Sequence, residues 1–199
     1  EYNLFMQILE KIQKYTIQIQ KTAKQVANLD CLLSFVVVST TNNYIMPKLN
    51  DGFDLKIIDG RHPVLDLICS YIPNDTNLNS NLSMQIITGS NMSGKSSYMR
   101  QTALIVILAQ IGSFVPASST DISICDRIFT RVGASDDLSS GQSTFMVEMN
   151  ETSNILNNAT KNSLIILDEI GRGTSTFDGV AIAIGTAEFI HKKIGAKTL

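Results

Sequence analysis

Apolar residues recur at steps of three and four at the start of the chain, which is the spacing of one face of an α-helix. The pattern runs from Leu4 through Ile12 and Ile19 to Val26. We expect a helix over residues 3–28, about 40 Å long if it is unbroken. Residues 29–38 continue the helical pattern, and Asn42-Asn43 and Pro47 close it. A long helix with one apolar stripe usually packs on another helix, so a partner element is expected.

The pattern changes from Leu55 onward, where short apolar runs alternate with stretches of helical periodicity. Residues 59–63 are predicted to form a turn and the polar residues 74–83 a surface loop. The strand candidates are residues 55–58, 84–88, 128–132 and 163–167, and the helix candidates are residues 95–111, 142–158 and 180–193. Strands that alternate with helices predict an α/β domain with a mostly parallel sheet covered on both faces. We therefore predict the end of a helical domain over residues 1–47 and an α/β domain over residues 48–199.

Composition narrows the class of protein. Apolar residues make up 44% and charged residues 17% of the chain, which favours a folded domain over disorder. The net charge is −2, so the chain has no strong basic footprint for nucleic acid. The longest apolar run, residues 103–109, is too short to cross a membrane. The cysteines Cys31, Cys69 and Cys125 are widely spaced and odd in number, so we expect buried free thiols in a reducing compartment.

A glycine-bearing segment follows the predicted strand 84–88 and precedes the predicted helix at residue 95. It fits the pattern G-x-x-x-x-G-K-[ST], whose backbone N–H groups and helix N-terminus cradle phosphates. The residues predicted to hold the nucleotide are Gly89, Ser90, Asn91, Met92, Ser93, Gly94, Lys95, Ser96 and Ser97. Lys95 would reach the β- and γ-phosphates of ATP, and the Ser96 hydroxyl would ligate Mg²⁺.

A second candidate element is the apolar run 164–167, which ends in Asp168 and Glu169. Ligands of parallel sheets bind at the carboxyl ends of the strands. Asp168 would hold the Mg²⁺ shell, and Glu169 would orient and deprotonate the attacking water. Many buried strands end in an acidic residue, so this pattern alone is a weak indication of a metal site. It becomes specific because the predicted phosphate loop lies upstream.

These residues resemble the MutS mismatch-repair family. Residues 88–97, with the letters T-G-S-N-M-S-G-K-S-S, are similar to that family's phosphate loop. Further resemblance lies in residues 110–117, 131–137, 143–149 and 168–179, in the family's order. The resemblance implies a P-loop NTPase fold related to the ABC ATPases, preceded by a segment of the family's long lever helices. It also implies Mg²⁺-dependent ATP hydrolysis within a dimer.

The resemblance assigns further roles. Asn91 would contact the γ-phosphate region, and Tyr71 stands where the family has an aromatic that stacks on adenine. The alternative for Tyr71 is a core aromatic. Ser143 and Thr144 resemble the signature element that reaches the nucleotide of the other subunit. We expect His62 to shape its turn and His191 to lie on a solvated helix. Neither histidine is predicted to be catalytic.

The implied partners are mismatched double-stranded DNA, bound through regions outside these residues, a second subunit in a homodimer or MutS-family heterodimer, and a MutL-type downstream protein. No membrane association is expected. The expected compartment is the bacterial cytoplasm or nucleoid, with the mitochondrion as the alternative.

Two departures from the family pattern concern the phosphate loop. Ser90 replaces the usual Pro, which removes a constraint on φ, and Ser97 replaces the usual Thr but keeps a hydroxyl. The sequence also ends before the family's A-T-H segment. We therefore expect a fragment without the last strands and the C-terminal dimerisation element, and expect it to have little ATPase activity alone.

Two alternatives stay open. A MutS-like protein could act as a nucleotide-dependent scaffold in recombination without recognising mismatches, and a Phe-x-Glu motif N-terminal to residue 1 would distinguish the two. An ABC-type transporter or chromosome-structure ATPase is disfavoured, because the chain lacks the L-S-G-G-Q signature.

Overall fold

The computed structural model describes residues 1–132 and 144–199. The chain divides into two compact units, Glu1–Asn43 and Tyr44–Leu199. The domain boundary predicted at residue 47 stays a prediction. No helix among the described residues is both long and apolar enough to cross a membrane.

The first unit consists of two consecutive helices, α1 (Tyr2–Gln13) and α2 (Thr16–Thr41). The single helix expected over residues 3–28 is therefore interrupted. At Tyr15 the backbone has φ −105° and ψ 2°, and its N–H bonds to the carbonyl of Ile12, three residues back, at 2.8 Å. The predicted helical continuation through residues 29–38 is confirmed. Apolar residues of both helices, including Leu4, Ile19 and Val26, are exposed in this chain.

The second unit is a mixed α/β domain that contains two sheets. The four-stranded sheet has the order β1 (Lys48–Asn50), β4 (Ser119–Ser123), β2 (Leu55–Gly60) and β3 (Asn74–Leu78). Only the β1–β4 pair is parallel, and β2 runs antiparallel to both β4 and β3. The expectation of a mostly parallel sheet is therefore not met here, because residues 61–73, which include the helix Leu65–Ile68, return the chain so that β3 lies antiparallel beside β2.

The three-stranded sheet is parallel, with the order β5 (Ile128–Arg131), β6 (Leu164–Leu167) and β7 (Lys197–Thr198). The helices of this unit are α3 (Leu65–Ile68), α4 (Lys95–Gln110), α5 (Thr144–Asn158) and α6 (Thr176–Phe189), and a π-helical turn, Ile190–Ile194, extends α6. The predicted strands at residues 55, 128 and 163 and the predicted helix at residue 95 are confirmed.

Strand β6 shows why the parallel sheet is stable. Leu164 and Ile166 point to one face and belong to the core that α4 fills with Ile105 and Val106. Ile165 points to the other face and packs with Ile155 of α5 and with Ile190. These three side chains are buried, and Leu167, the fourth residue of β6, is partly buried. Both faces of this sheet are therefore covered, as the continuous apolar run predicts.

Two predictions for the region before α4 are wrong. Residues 74–83, predicted to be a surface loop, contain β3, in which Thr76 and Leu78 are fully buried. The Thr76 hydroxyl lies 3.1 Å from both the Tyr98 hydroxyl and the Thr102 hydroxyl, so its burial is compensated by hydrogen bonds.

The segment 84–88, predicted to be a buried strand, forms only one parallel bridge, from Met84 to Thr198. The bridge partner belongs to strand β7. Ile86 is 81% exposed, and the segment is an extended connection that leads into the phosphate loop.

The cysteines and histidines have different environments. Cys125 is buried, as expected, but Cys31 and Cys69 are exposed, and all three thiols are free. His62 shapes its turn as predicted, because its Nδ1 accepts from the backbone N–H groups of Val64 and Leu65 at 3.2 Å. His191 is exposed on the π-helical turn.

Candidate nucleotide site

The predicted phosphate loop, residues 89–94, leads directly into α4, as the sequence predicts. Met92 has φ 61° and Gly94 has φ 91°, left-handed conformations that turn successive backbone N–H groups toward one side. Gly94 is the N-cap of α4, and no side chain among the described residues caps the helix. The first amides of α4 are therefore available for an anion.

Lys95 folds back over the loop that it follows. Its Nζ donates to the carbonyl oxygens of Gly89 and Ser90, each at 2.8 Å. The ammonium group is thus held against the loop, and Lys95 lines one cavity with the other residues of 91–97.

The acidic pair lies at the carboxyl end of β6. Asp168 is buried, and its backbone N–H donates to the carbonyl of Arg131 at 2.7 Å. Among the described residues, its carboxylate makes neither a hydrogen bond nor an ion pair. Asp168 borders a cavity, and a carboxylate without a partner among these residues at such a place could hold a cation such as Mg²⁺.

Glu169 has φ 58°, which is rare for a residue with a side chain and costs roughly 1–2 kcal/mol. The next turn of chain holds its carboxylate, because Arg172 Nη1 donates to Glu169 Oε2 at 2.7 Å. Both side chains are partly exposed, so this pair is open to exchange with a ligand or water.

The two elements share a cavity of about 320 Å³. Residues 91–97 line one side of it, and Glu169 and Arg172 line the other. A neighbouring cavity of about 380 Å³ is bordered by Lys95, Asp168 and Glu169. Ser96 borders the first cavity and Asp168 the second, so the two predicted Mg²⁺ ligands lie on adjoining cavities that share Lys95 and Glu169.

Tyr71 borders a larger cleft of about 980 Å³, together with residues 87–90 and 92–95. Its hydroxyl donates to Gln101 Oε1 at 2.9 Å, and its ring makes a tilted contact with His62, with centroids 6.2 Å apart. Burial raises the pKa of Tyr71 and lowers the pKa of His62. The Tyr71 side chain is therefore neutral and anchored at its hydroxyl end, and it lies next to the predicted phosphate loop.

The remaining predicted site residues are Ser143 and Thr144. Thr144 opens α5, is exposed, and borders neither cavity that contains the acidic pair. Ser143 lies outside the described residues.

Sequence reasoning assigned Arg172 no role of its own beyond the expectation that residues 168–178 line a dimer interface, and it assigned none to the buried pair Arg131 and Glu148. Arg172 stands three residues after Glu169, and that spacing could have suggested an ion pair. Glu148 and Arg131 lie on separate elements, α5 and β5. No local signal brings them together.

The chain thus forms an α/β domain in which the glycine-bearing loop before α4 and the acidic end of β6 border one cavity. Residues 85–199 match the family model for MutS domain V, and the chain belongs to the MutS family. It is 58% identical to the DNA mismatch repair proteins MutS of Alkaliphilus metalliredigens and Clostridioides difficile, and 54% identical to that of Chlorobaculum parvum. These matches cover 100% of this chain but only 21–23% of the relatives, so the chain spans less than a quarter of their length.

Proposed function

We propose that this chain is the ATP-binding and ATP-hydrolysing domain of a DNA mismatch repair protein of the MutS type, with a P-loop NTPase fold. The observation that carries the proposal is the cavity shared by residues 91–97 and Glu169. A phosphate bound by the loop would lie within reach of a carboxylate at the strand end. That is the arrangement that phosphoryl transfer to water requires.

Each residue has a distinct role in the proposed reaction. The amides of residues 91–96 and the Lys95 ammonium bind and orient the phosphates of ATP. Glu169 positions the attacking water and accepts its proton once Arg172 releases the carboxylate. Ser96 and Asp168 would hold Mg²⁺, which when bound neutralises charge on the phosphates. Tyr71 offers its ring face to the adenine.

The parts of the proposal that concern the whole protein follow from the family. ATP state would couple to mismatched-DNA binding and to formation of a sliding clamp. The protein would act inside the cell as a homodimer or MutS-family heterodimer, with a MutL-type partner downstream. In such a dimer, Ser143 and Thr144 would reach the nucleotide of the other subunit.

The test uses the full-length protein with Lys95→Ala and Glu169→Gln. We expect Lys95→Ala to lose turnover by 100-fold or more, on the order of a lost electrostatic contact in a transition state. Glu169→Gln should bind Mg·ATP like the parent protein but lose hydrolysis, because only the base is removed. Steady-state phosphate release and equilibrium nucleotide binding separate the two effects.

The matched control is Lys192→Ala, which removes an exposed lysine paired with Glu188 on the far end of α6. This variant should keep parental turnover. Parental turnover in Lys95→Ala, or equal loss of binding and hydrolysis in Glu169→Gln, would contradict the assigned roles.

A further inference from the structure

The loop that follows β6 rests on α5 at two points. An added Cβ at Gly173 would lie 3.0 Å from the Phe145 Cα, so the two backbones nearly touch. Two residues earlier in the loop, the backbone N–H of Gly171 donates to Glu148 Oε1. The loop that carries Glu169 is therefore held by α5 as well as by β6.

Glu148 is unusual because it is a carboxylate with only 2% of its side chain exposed. Its two oxygens are divided between two elements. Oε1 accepts from Gly171, and Oε2 lies 3.6 Å from Nη2 of Arg131 on β5. A buried ion pair of this kind is weak evidence for stability, since an apolar pair of similar size often serves as well. Stability alone therefore does not account for this buried pair.

The backbone conformation of Glu169 suggests what the buried carboxylate of Glu148 does. The left-handed backbone of Glu169, at φ 58°, persists only where the surrounding structure imposes it. Gly171, two residues on, is also left-handed at φ 84°. The bond from Glu148 holds the second of these turns. It thereby sets the direction in which the chain leaves β6 and the place where the Glu169 carboxylate lies.

We propose that Glu148 is a positioning residue for ATP hydrolysis, which holds the Gly171 amide so that Glu169 stays aimed at the phosphate loop. This inference rests on the proposed function. Arg131 neutralises the charge of Glu148, while its own Nε lies 3.2 Å from a carboxylate oxygen of the half-exposed Glu151 without hydrogen-bond alignment. The role of Glu148 depends on its Oε1, which accepts the hydrogen bond from Gly171. The ion pair with Arg131 offsets the cost of burying the carboxylate.

The test separates the acceptor from the charge. In the full-length protein, Arg131→Met is combined with Glu148→Gln or with Glu148→Met. Both double variants lack the buried charges and have side chains of similar length, but only glutamine keeps an oxygen that can accept from Gly171. We expect the glutamine form to hydrolyse ATP within threefold of the parent. The methionine form should lose at least tenfold in kcat, with Mg·ATP affinity within twofold and a melting temperature close to that of the glutamine form.

A second measurement applies if a double variant does not fold. Glu148→Gln alone should keep at least a third of parental turnover, and hydrogen–deuterium exchange over residues 168–175 should stay at the parental rate. Glu188→Gln, which breaks only the exposed pair with Lys192, is the control and should change neither quantity.

The outcomes are distinguishable. Equal turnover in the glutamine and methionine double variants, or a loss in Glu148→Gln as large as that in Glu169→Gln, would overturn the role of Glu148. Absence of Mg·ATP turnover in the parent protein would instead refute the proposed function.

Discussion

The close approach of Gly171 to Gly179 gives a prediction whose size follows from the geometry. A Cβ added at Gly171 would meet the Gly179 carbonyl oxygen at 2.4 Å, its Cα at 2.6 Å and its carbonyl carbon at 2.7 Å. All three are backbone atoms in the first turn of α6, so no side chain can rotate away. Gly171→Ala must therefore shift the loop or the helix.

Two other glycines allow the cost of a left-handed backbone to be measured apart from the cost of the steric clash. Gly112 has φ 86°, close to the 84° of Gly171, but a Cβ there meets nothing within 4 Å. Gly112→Ala therefore measures backbone strain alone, about 1 kcal/mol after the reduced freedom of the unfolded chain is counted. Gly185 lies inside α6, also with open space around it. Gly185→Ala should stabilise by about 1 kcal/mol through helix propensity.

Gly171→Ala carries the same strain as Gly112→Ala plus the cost of overpacking against backbone, typically about 1–3 kcal/mol. We expect a loss of about 2–4 kcal/mol in the free energy of unfolding. Urea unfolding of the 199-residue chain, followed by circular dichroism, measures all three variants. If Gly171→Ala costs no more than Gly112→Ala, the contact between the post-β6 loop and α6 does not exist as described and the reasoning fails.

Two further predictions concern single side chains. Lys197 is fully buried, and its Nζ has no hydrogen-bond partner among the described residues and lies 4.6 Å from the centre of the Phe53 ring. Lys197→Met should therefore stabilise the chain by roughly 1–2 kcal/mol at pH 7, even after the ion–ring contact is lost. Burial lowers the pKa of Lys197, an effect that Cys125, Asp126 and Asp54 oppose. The unfolded chain thus binds more protons between the lowered and the ordinary pKa, so the stability of the parent rises with pH through that window. The advantage of Lys197→Met should shrink as pH rises there, and a constant advantage in urea titrations across pH would argue against a buried ammonium. Ser175 caps α6 by accepting from the Asp178 backbone N–H at 3.4 Å. Ser175→Ala should cost about 1 kcal/mol in urea unfolding, whereas Ser175→Asp should retain most of the stability.

An element is predictable from the sequence when the residues that stabilise it lie close together along the chain. The helix from Lys95 and the strand from Leu164 were predictable because their apolar patterns are long or continuous within a single segment. Strand β3 was not, since the polar letters of residues 74–78 indicate a loop unless the partners of Thr76 are known. Those partners, Tyr98 and Thr102, lie more than twenty residues later in α4.

The interruption of the first helix is a different kind of failure. Residues 14 and 15 are Lys and Tyr, neither of which breaks a helix by itself. The apolar spacing continues across the break, so the pattern alone predicts one helix. The opposite error occurred at residues 84–88, where an apolar run predicts a buried strand but the segment forms one bridge, from Met84 to Thr198, and Ile86 is exposed.

The sequence alone determined the phosphate loop, the helix it opens and the acidic end of β6, because each depends on residues within one short segment. Tertiary structure decided which of these segments share a cavity. It brought Glu169 and Arg172 to residues 91–97, set Tyr71 beside the loop, and buried Glu148 against the Gly171 amide. Such contacts join elements far apart in the chain, and hydrophobic packing between sheets and helices creates them without leaving a local pattern to read.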